Sequence, residues 1–325
     1  MELKAIYRVV QGDLAKVERQ VKSVAEGPFP GLAELLKHIL LGGKAVRPAL
    51  TLLSARFYEY NLDQLLPMAT SVELMHTSTL VHDDAIDKSS VRRGRPTVNS
   101  LWGEDRAVLL GDYLFAKAGE FAALTGDLRV IRLFSQTLQI ISSGELKQTF
   151  DAFNLEQSRQ QYLERIRGKT ASLFSLATQS GAILSQAPEA SVQALKRYGT
   201  NLGIAFQIVD DLLDFTSNEK ELGKPVGSDL AQGTLTLPAM LLLERYPENN
   251  PVQELFGDRD MPEVFQQLKI KRAIEMVAHS SIVEECYEIA SDYCDQARQE
   301  LDLLPDKPVR QALVEVADFV VSRKS

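Results

Sequence analysis

Apolar residues recur at threes and fours along most of this chain. Over residues 2–25, Leu3, Ile6, Val10, Leu14, Val17, Val21 and Val24 form one stripe with charges between them, which predicts an amphipathic helix ended by Pro28 and Pro30. A second helix is predicted near 31–41 through Leu32, Leu35, Leu36, Ile39 and Leu40, running into Gly42-Gly43. Pro48 fits the first turn of a third, through Leu50, Leu53 and Phe57. A fourth runs from about Leu65 to a cluster of aspartates at 83–87. Beyond a polar loop at 88–100, the spacing predicts helices over 105–125, 128–150, 159–185, 189–216, 234–246, 271–304 and 308–323. No run alternates with period two for long, and Asn-Gly and Asp-Gly hairpin signals are absent. Nothing in the composition marks a domain boundary or a low-complexity segment. The pattern predicts one all-α domain over 1–325, a large bundle whose central helices are apolar nearly all round and therefore buried.

Composition narrows the partners. Of 325 residues, 45% are hydrophobic and 25% charged, which is ample for a core and ordinary for a globular protein. The net charge of −8 argues against a nucleic-acid partner. An anionic substrate would therefore need local Lys/Arg clusters or metal ions to reverse the field. Cys286 and Cys294 lie eight residues apart on one predicted helix, about 12 Å by helical rise, too far to bridge. The N-terminal residues lack a signal-peptide core, and no window reaches the ~18 apolar residues of a spanning helix. A soluble, cytoplasmic protein with no transmembrane segment is expected.

The candidate chemistry is concentrated in two acidic repeats. Asp83, Asp84 and Asp87 end one apolar run, and Asp83 and Asp87 project from the same helical face one turn apart. Asp210, Asp211 and Asp214 repeat the D-D-x-x-D spacing behind a second apolar run. Like charges at i and i+4 destabilise a helix unless a cation lies between them. Oxygen ligands without Cys or His suit Mg²⁺, which keeps waters and recruits substrate phosphates. One such cluster reads equally well as a solvated helix end. Two of them suggest facing helices that hold Mg²⁺ around a diphosphate.

Cations accompany both repeats. Lys44 and Arg47 stand on a glycine-loosened turn at a predicted helix start, a favourable setting for phosphate. Arg92 and Arg93 follow the first repeat closely enough to fold back over it, and arginines suit bidentate phosphate contacts. His76 lies two turns before Asp83 on the same face. Its Glu-x-x-His match to di-iron bundles lacks the second copy those sites require. Lys169 and Thr170 open an apolar stretch, Gln207 precedes Asp210 by one turn, and Lys224 follows the second repeat.

In their order along the chain, these motifs resemble the trans-isoprenyl diphosphate synthases, the head-to-tail prenyltransferases. The match runs from about Gly42 to Pro238: Gly-Gly-Lys-x-x-Arg-Pro, the His76 helix, Asp-Asp-x-x-Asp with Arg-Arg-Gly, Gly-Lys-Thr, Phe-Gln-x-x-Asp-Asp-x-x-Asp and Gly-Lys. The resemblance implies the isoprenoid synthase type of bundle with a central catalytic cavity. Six aspartates, Asp83, Asp84, Asp87, Asp210, Asp211 and Asp214, would bind Mg²⁺, about three ions per site. Arg92, Lys169 and Lys224 would hold the allylic diphosphate; Lys44, Arg47, His76 and Arg93 would hold isopentenyl diphosphate. Thr170 and Gln207 would lie near the reacting carbons, and a homodimer is implied.

One position departs from the family pattern: Thr234 stands where members often carry a lysine. The family's chain-length positions before the first repeat are the small Ser78 and Thr79, with the bulkier Leu74 and Met75 one turn earlier. A tunnel passing Ser78 and products of six or more isoprene units are expected. The alternatives are a shorter-chain synthase, with its floor at Leu74 and Met75, or a non-catalytic partner subunit, which intact acidic repeats disfavour.

Overall fold

The computed structural model describes residues 3–40, 43–218 and 225–323, and these are almost entirely helical. After short turns at Leu3–Ile6 and Tyr7–Val9 come α1 (Gln11–Val24), α2 (Pro30–Ile39), α3 (Val46–Ala55) and α4 (Leu62–Ile86). A small hairpin, β1 (Val91–Arg92) and β2 (Arg95–Pro96), precedes α5 (Glu104–Ala123) and α6 (Leu128–Phe150). Next are α7 (Arg159–Ile166), α8 (Ser172–Leu184) and α9 (Glu189–Thr216). Then come α10 (Leu237–Arg245), α11 (Glu263–Ala278), α12 (Ile282–Leu301) and α13 (Pro308–Ser322), with short helices at Val98–Trp102, Ser228–Ala231 and Pro251–Gly257 between the long ones.

Local sequence fixes the helix starts. The Asn61 side chain accepts from the Asp63 N–H to open α4, and Asp127 accepts from Arg129 and Val130 to open α6. Ser158 and Gln161 form a reciprocal capping box at α7. Leu65, Met68, Val72, Leu74 and Met75 of α4 are all 0% exposed, so this helix is surrounded by protein. Its lack of a polar stripe is the sequence signature of that position. The buried apolar residues form one cluster running from Ile6 to Val320.

Several predicted elements are corrected. The 271–304 segment is two helices, α11 and α12, because His279-Ser280-Ser281 interrupts the pattern and the Ser280 hydroxyl accepts from the Ile282 N–H. The 159–185 segment is a continuous helical path with a π-turn at Arg167–Ala171 between α7 and α8. The first predicted helix breaks at Val10, and that of 234–246 begins only at Leu237, with Pro238 in its first turn. The 88–100 loop contains the hairpin, turned by Arg93 and Gly94 at φ 52° and 71°. Positive φ at both central residues is the type I′ pattern; the turn lacks Asn or Asp and so escaped the usual sequence signal.

Glycines set the closest helix approaches. A Cβ on Gly199 of α9 would lie 2.7 Å from the Phe174 carbonyl oxygen, and one on Gly203 would lie 2.5 Å from Ala171 Cα. This Gly-x-x-x-Gly face lets α9 press against α8 and the π-turn, bringing the next turns of α9 beside Thr170. Gly181 of α8 does the same against α3, where a Cβ would lie 2.2 Å from the Thr51 carbonyl oxygen. Backbone cannot give way as a side-chain tip can. Gly181→Ala should therefore lower unfolding stability by about 1–3 kcal/mol, read as a fall in the urea midpoint with an unchanged slope.

Candidate active site

Both acidic repeats lie at the C-terminal ends of helices. Asp83 and Asp84 end α4 with Asp87 as its cap, and Asp210, Asp211 and Asp214 occupy the last two turns of α9. The helix dipole is negative there, so carboxylates at these positions are stabilised only by a cation. Asp87 and Asp211 line one cleft together with Lys169, Thr170, Gln207 and Thr234. The cleft encloses ≈ 460 Å³ of non-atom space including its open mouth.

The six aspartates are not equivalent. Asp84 is buried and takes the Arg92 Nε–H on Oδ1 at 2.7 Å, a contact delivered by the hairpin folding back over α4. Asp211 is buried between the Tyr162 hydroxyl, 2.8 Å from Oδ2, and Gln207 Nε2, 2.7 Å from Oδ1. Asp214 accepts from the Ser228 hydroxyl at 3.1 Å and the Asp229 N–H at 3.2 Å. Asp83 and Asp87 are half-buried and Asp210 is exposed. Burial, then Asp83, Glu145 and Asp229, push the Asp87 carboxyl up to about 6 against the pull of Lys169. Burial and Asp229 also raise Asp211.

This donor set fits a hard divalent ion. The ligands are oxygens, they crowd negative charge at negative helix ends, and burial disfavours the charged forms of Asp84, Asp87 and Asp211. Among the described residues no three acidic or histidine side chains converge tightly enough to enclose an ion. Mg²⁺ that retains waters and takes substrate phosphates needs no such cage.

The π-turn presents Lys169 and Thr170 to the cleft. Thr170 Oγ1 donates to Gln207 Oε1 at 2.6 Å, and Gln207 passes the chain on to Asp211 and Tyr162. Lys169 pairs with Glu145 of α6, and Asp83, Glu145 and Asp87 hold its ammonium above the usual lysine range despite burial. π-Turns concentrate at functional positions because they re-aim side chains within a helix.

A second, basic cluster lies where α3, α4, α9 and the end of α13 meet. The Arg47 guanidinium stands 4.6 Å from the Phe174 ring and 5.8 Å from that of Phe206, with its buried Nε unpartnered among the described residues. Burial, partly offset by Glu73 and Asp210, pulls Arg47 down to about 10. Burial and Arg323 depress Lys44 as well. Glu73 Oε1 and Arg93 Nη1 flank Gly43, 3.3 and 3.9 Å from where its Cβ would be. His76 lies one turn beyond Glu73, and burial with Arg47, Arg93 and Arg92 holds it far below 6.5. Lys44, Arg47, Arg93 and Arg323 thus bring positive charge together around a buried histidine, an arrangement whose chemistry suits an anion.

Tyr162, Glu145, Asp229 and Arg323 are site residues that periodicity did not reveal. Arg323 donates to the Phe206 carbonyl at 2.6 Å, stacks 3.8 Å over the Phe206 ring and lies 3.3 Å from Asp210 Oδ1. Lys224 and Gly42 lie outside the described residues. Ser78 is fully buried with its hydroxyl on the Gly111 carbonyl of α5 at 2.6 Å, in the seam between α4 and α5 rather than on the cleft wall. Thr79 is half-buried and bonds the His76 carbonyl, while Leu74 and Met75 are wholly buried.

The described residues thus form an almost wholly helical bundle with an acidic cleft whose donors fit a divalent ion and a cluster of buried cations. The family model described as Polyprenyl synthetase matches residues 30–277. Component 2 of heptaprenyl diphosphate synthase from Geobacillus stearothermophilus is 37% identical, over 99% of each chain. The chloroplastic solanesyl-diphosphate synthase 2 of Oryza sativa subsp. japonica is 36% identical, over 99% of this chain and 80% of that one. A crystal structure of polyprenyl synthase from Caulobacter crescentus CB15, complexed with calcium and isoprenyl diphosphate, superposes with a TM-score of 0.94. That match has 34% identity and covers 100% of this chain and 98% of the other. The chain belongs to the polyprenyl synthetase family: it is a prenyltransferase with the all-α isoprenoid synthase fold.

His76 yields a test of the basic cluster. The unfolded chain protonates this imidazole near 6.5, whereas the folded one resists. Its contribution to stability is thus present above that pH and lost as pH falls toward the folded value. His76→Asn should flatten the decline of melting temperature between about pH 6.5 and 5. An unchanged slope would mean that His76 is not held neutral.

Proposed function

We propose that this chain condenses isopentenyl diphosphate head-to-tail with an allylic diphosphate in the trans configuration. The supporting observation is the presence of two unlike groupings, one acidic and suited to metal, one basic with Arg47 beside Phe174 and Phe206. A terpene cyclase, with a single diphosphate, would not need the second.

Asp83 and Asp87, with Asp84, and Asp210 and Asp214, with Asp211, would hold Mg²⁺, which supplies Lewis-acid stabilisation of the departing diphosphate. Lys169, Arg92 and Lys224 bind that diphosphate, and Lys44, Arg47, His76 and Arg93 bind isopentenyl diphosphate. The Thr170–Gln207–Asp211–Tyr162 chain fixes the Thr170 oxygen at the edge of the cleft, where its dipole faces developing positive charge. The aromatic rings exclude water that would quench an allylic cation. The homoallylic double bond attacks C1 of that cation, a carbon–carbon bond replaces the carbon–oxygen bond, and the proton lost goes to the released pyrophosphate.

The product proposed has six or more isoprene units, because Ser78 and Thr79 put no aromatic in its way. The chain would have to enter the α4–α5 seam. Exposed Leu109 on α5 and Leu128, Leu146 and Phe150 on α6 support a homodimer through these helices. The relative designated component 2 favours a second reading, in which another subunit completes the enzyme.

The test incubates the purified chain with labelled isopentenyl diphosphate, farnesyl diphosphate and Mg²⁺. Products of thirty carbons or more, abolished by EDTA, are expected. No incorporation with any primer would favour the two-component reading. Ser78→Phe should fill the seam and shorten the products; an unchanged product length in a folded variant would remove the tunnel assignment.

A further inference from the structure

Glu145 belongs to no motif of the resemblance and lies in the last two turns of α6, yet it pairs with Lys169 of the cleft wall. The π-turn passes beside α6 here: the Lys169 backbone nitrogen lies 3.9 Å from where a Cβ on Gly144 would stand. At that distance Glu145 meets Lys169 with both carboxylate oxygens, Oε1 at 3.0 Å and Oε2 at 2.8 Å from Nζ. The side chains are 13% and 26% exposed, so water competes little for the pair. Two carboxylates of the first repeat, Asp83 and Asp87, act on the same ammonium from α4.

We propose that Glu145 is a positioning residue for the allylic half of the reaction, holding the Lys169 ammonium at the cleft wall in the orientation that receives the diphosphate. The inference rests on the reading of Lys169 as a contact to that diphosphate. A lysine on its flexible four-carbon stem, surrounded by aspartates, would otherwise collapse onto the first repeat and occupy a place meant for metal. The pair with Glu145 holds it to α6 instead. With three N–H donors on the ammonium, the pairing leaves hydrogen-bonding capacity directed into the cleft. The carboxylate touches no reacting atom, and its effect is confined to one of the two substrates.

The experiment is a double-mutant cycle with Glu145→Ala and Lys169→Ala, read as KM for farnesyl diphosphate and KM for isopentenyl diphosphate separately. Glu145→Ala should raise KM for the allylic substrate by about tenfold, the size of one charge-assisted hydrogen bond, and leave KM for isopentenyl diphosphate unchanged. Glu145→Gln, whose amide oxygen still accepts from the ammonium, should lose less. In the Lys169→Ala background, Glu145→Ala should add nothing. Calorimetric binding of inorganic pyrophosphate with Mg²⁺ repeats the cycle without turnover, so a chain that needs a partner subunit is still tested. Equal rises in both KM values, or a full additional loss in the Lys169→Ala background, would overturn the inference and leave the proposed reaction standing. A Lys169→Ala variant that binds pyrophosphate and the allylic substrate normally would overturn the inference together with the role of Lys169, whereas wild-type product formation tests the reaction itself.

Discussion

Negative charge stacked at the negative ends of two helices is the constraint on which the rest of this protein depends. Asp83 and Asp87 at the end of α4, and Asp210 and Asp214 at the end of α9, are each in the least favourable place a helix offers a carboxylate. The surrounding residues hold the arrangement together. Arg92 neutralises Asp84, Tyr162 and Gln207 satisfy Asp211, and Ser228 and the Asp229 amide satisfy Asp214. Asp84 in the first repeat, and Asp211 and Asp214 in the second, are thus tied into the scaffold by hydrogen bonds.

Close packing makes that arrangement rigid. The Gly199 and Gly203 face of α9 presses on the π-turn, and the 2.6 Å bond between Thr170 and Gln207 follows from that approach. On the other side of the turn, toward α6, the approach at Gly144 is an ordinary van der Waals contact. Side chains that carry chemistry sit within a turn of glycines that carry none. Removing a methyl group's worth of bulk from a helix interior costs local stability; here it gains an inter-helix distance that no larger residue permits.

Much of this was legible in the sequence. The helices at 128–150 and 189–216 follow their apolar periodicity to the residue, and the burial of α4 follows from its lack of a polar face. The two acidic repeats were legible because their spacing duplicates. The break at His279–Ser281 was not, since a three-residue interruption leaves the apolar period nearly in phase on either side. The hairpin escaped because Arg93 adopts a left-handed conformation that sequence rules reserve for Asn, Asp and Gly. Tyr162 and Glu145 were illegible for a simpler reason: each acts on a partner 49 or 24 residues away, and only tertiary packing brings them together.

The Arg323 contact carries a consequence for how the molecule is made. Its guanidinium caps Asp210 and the Phe206 carbonyl, yet it is synthesised 113 residues after that aspartate. As the chain leaves the ribosome, α4 and α9 can form their local turns early, whereas the wall that Arg323 supplies must wait for the end of α13. Contacts of such sequence separation are the slow ones to form. The scaffold is therefore assembled before its basic cluster is complete, and the nascent chain carries both acidic repeats for a period in which nothing from α13 restrains them.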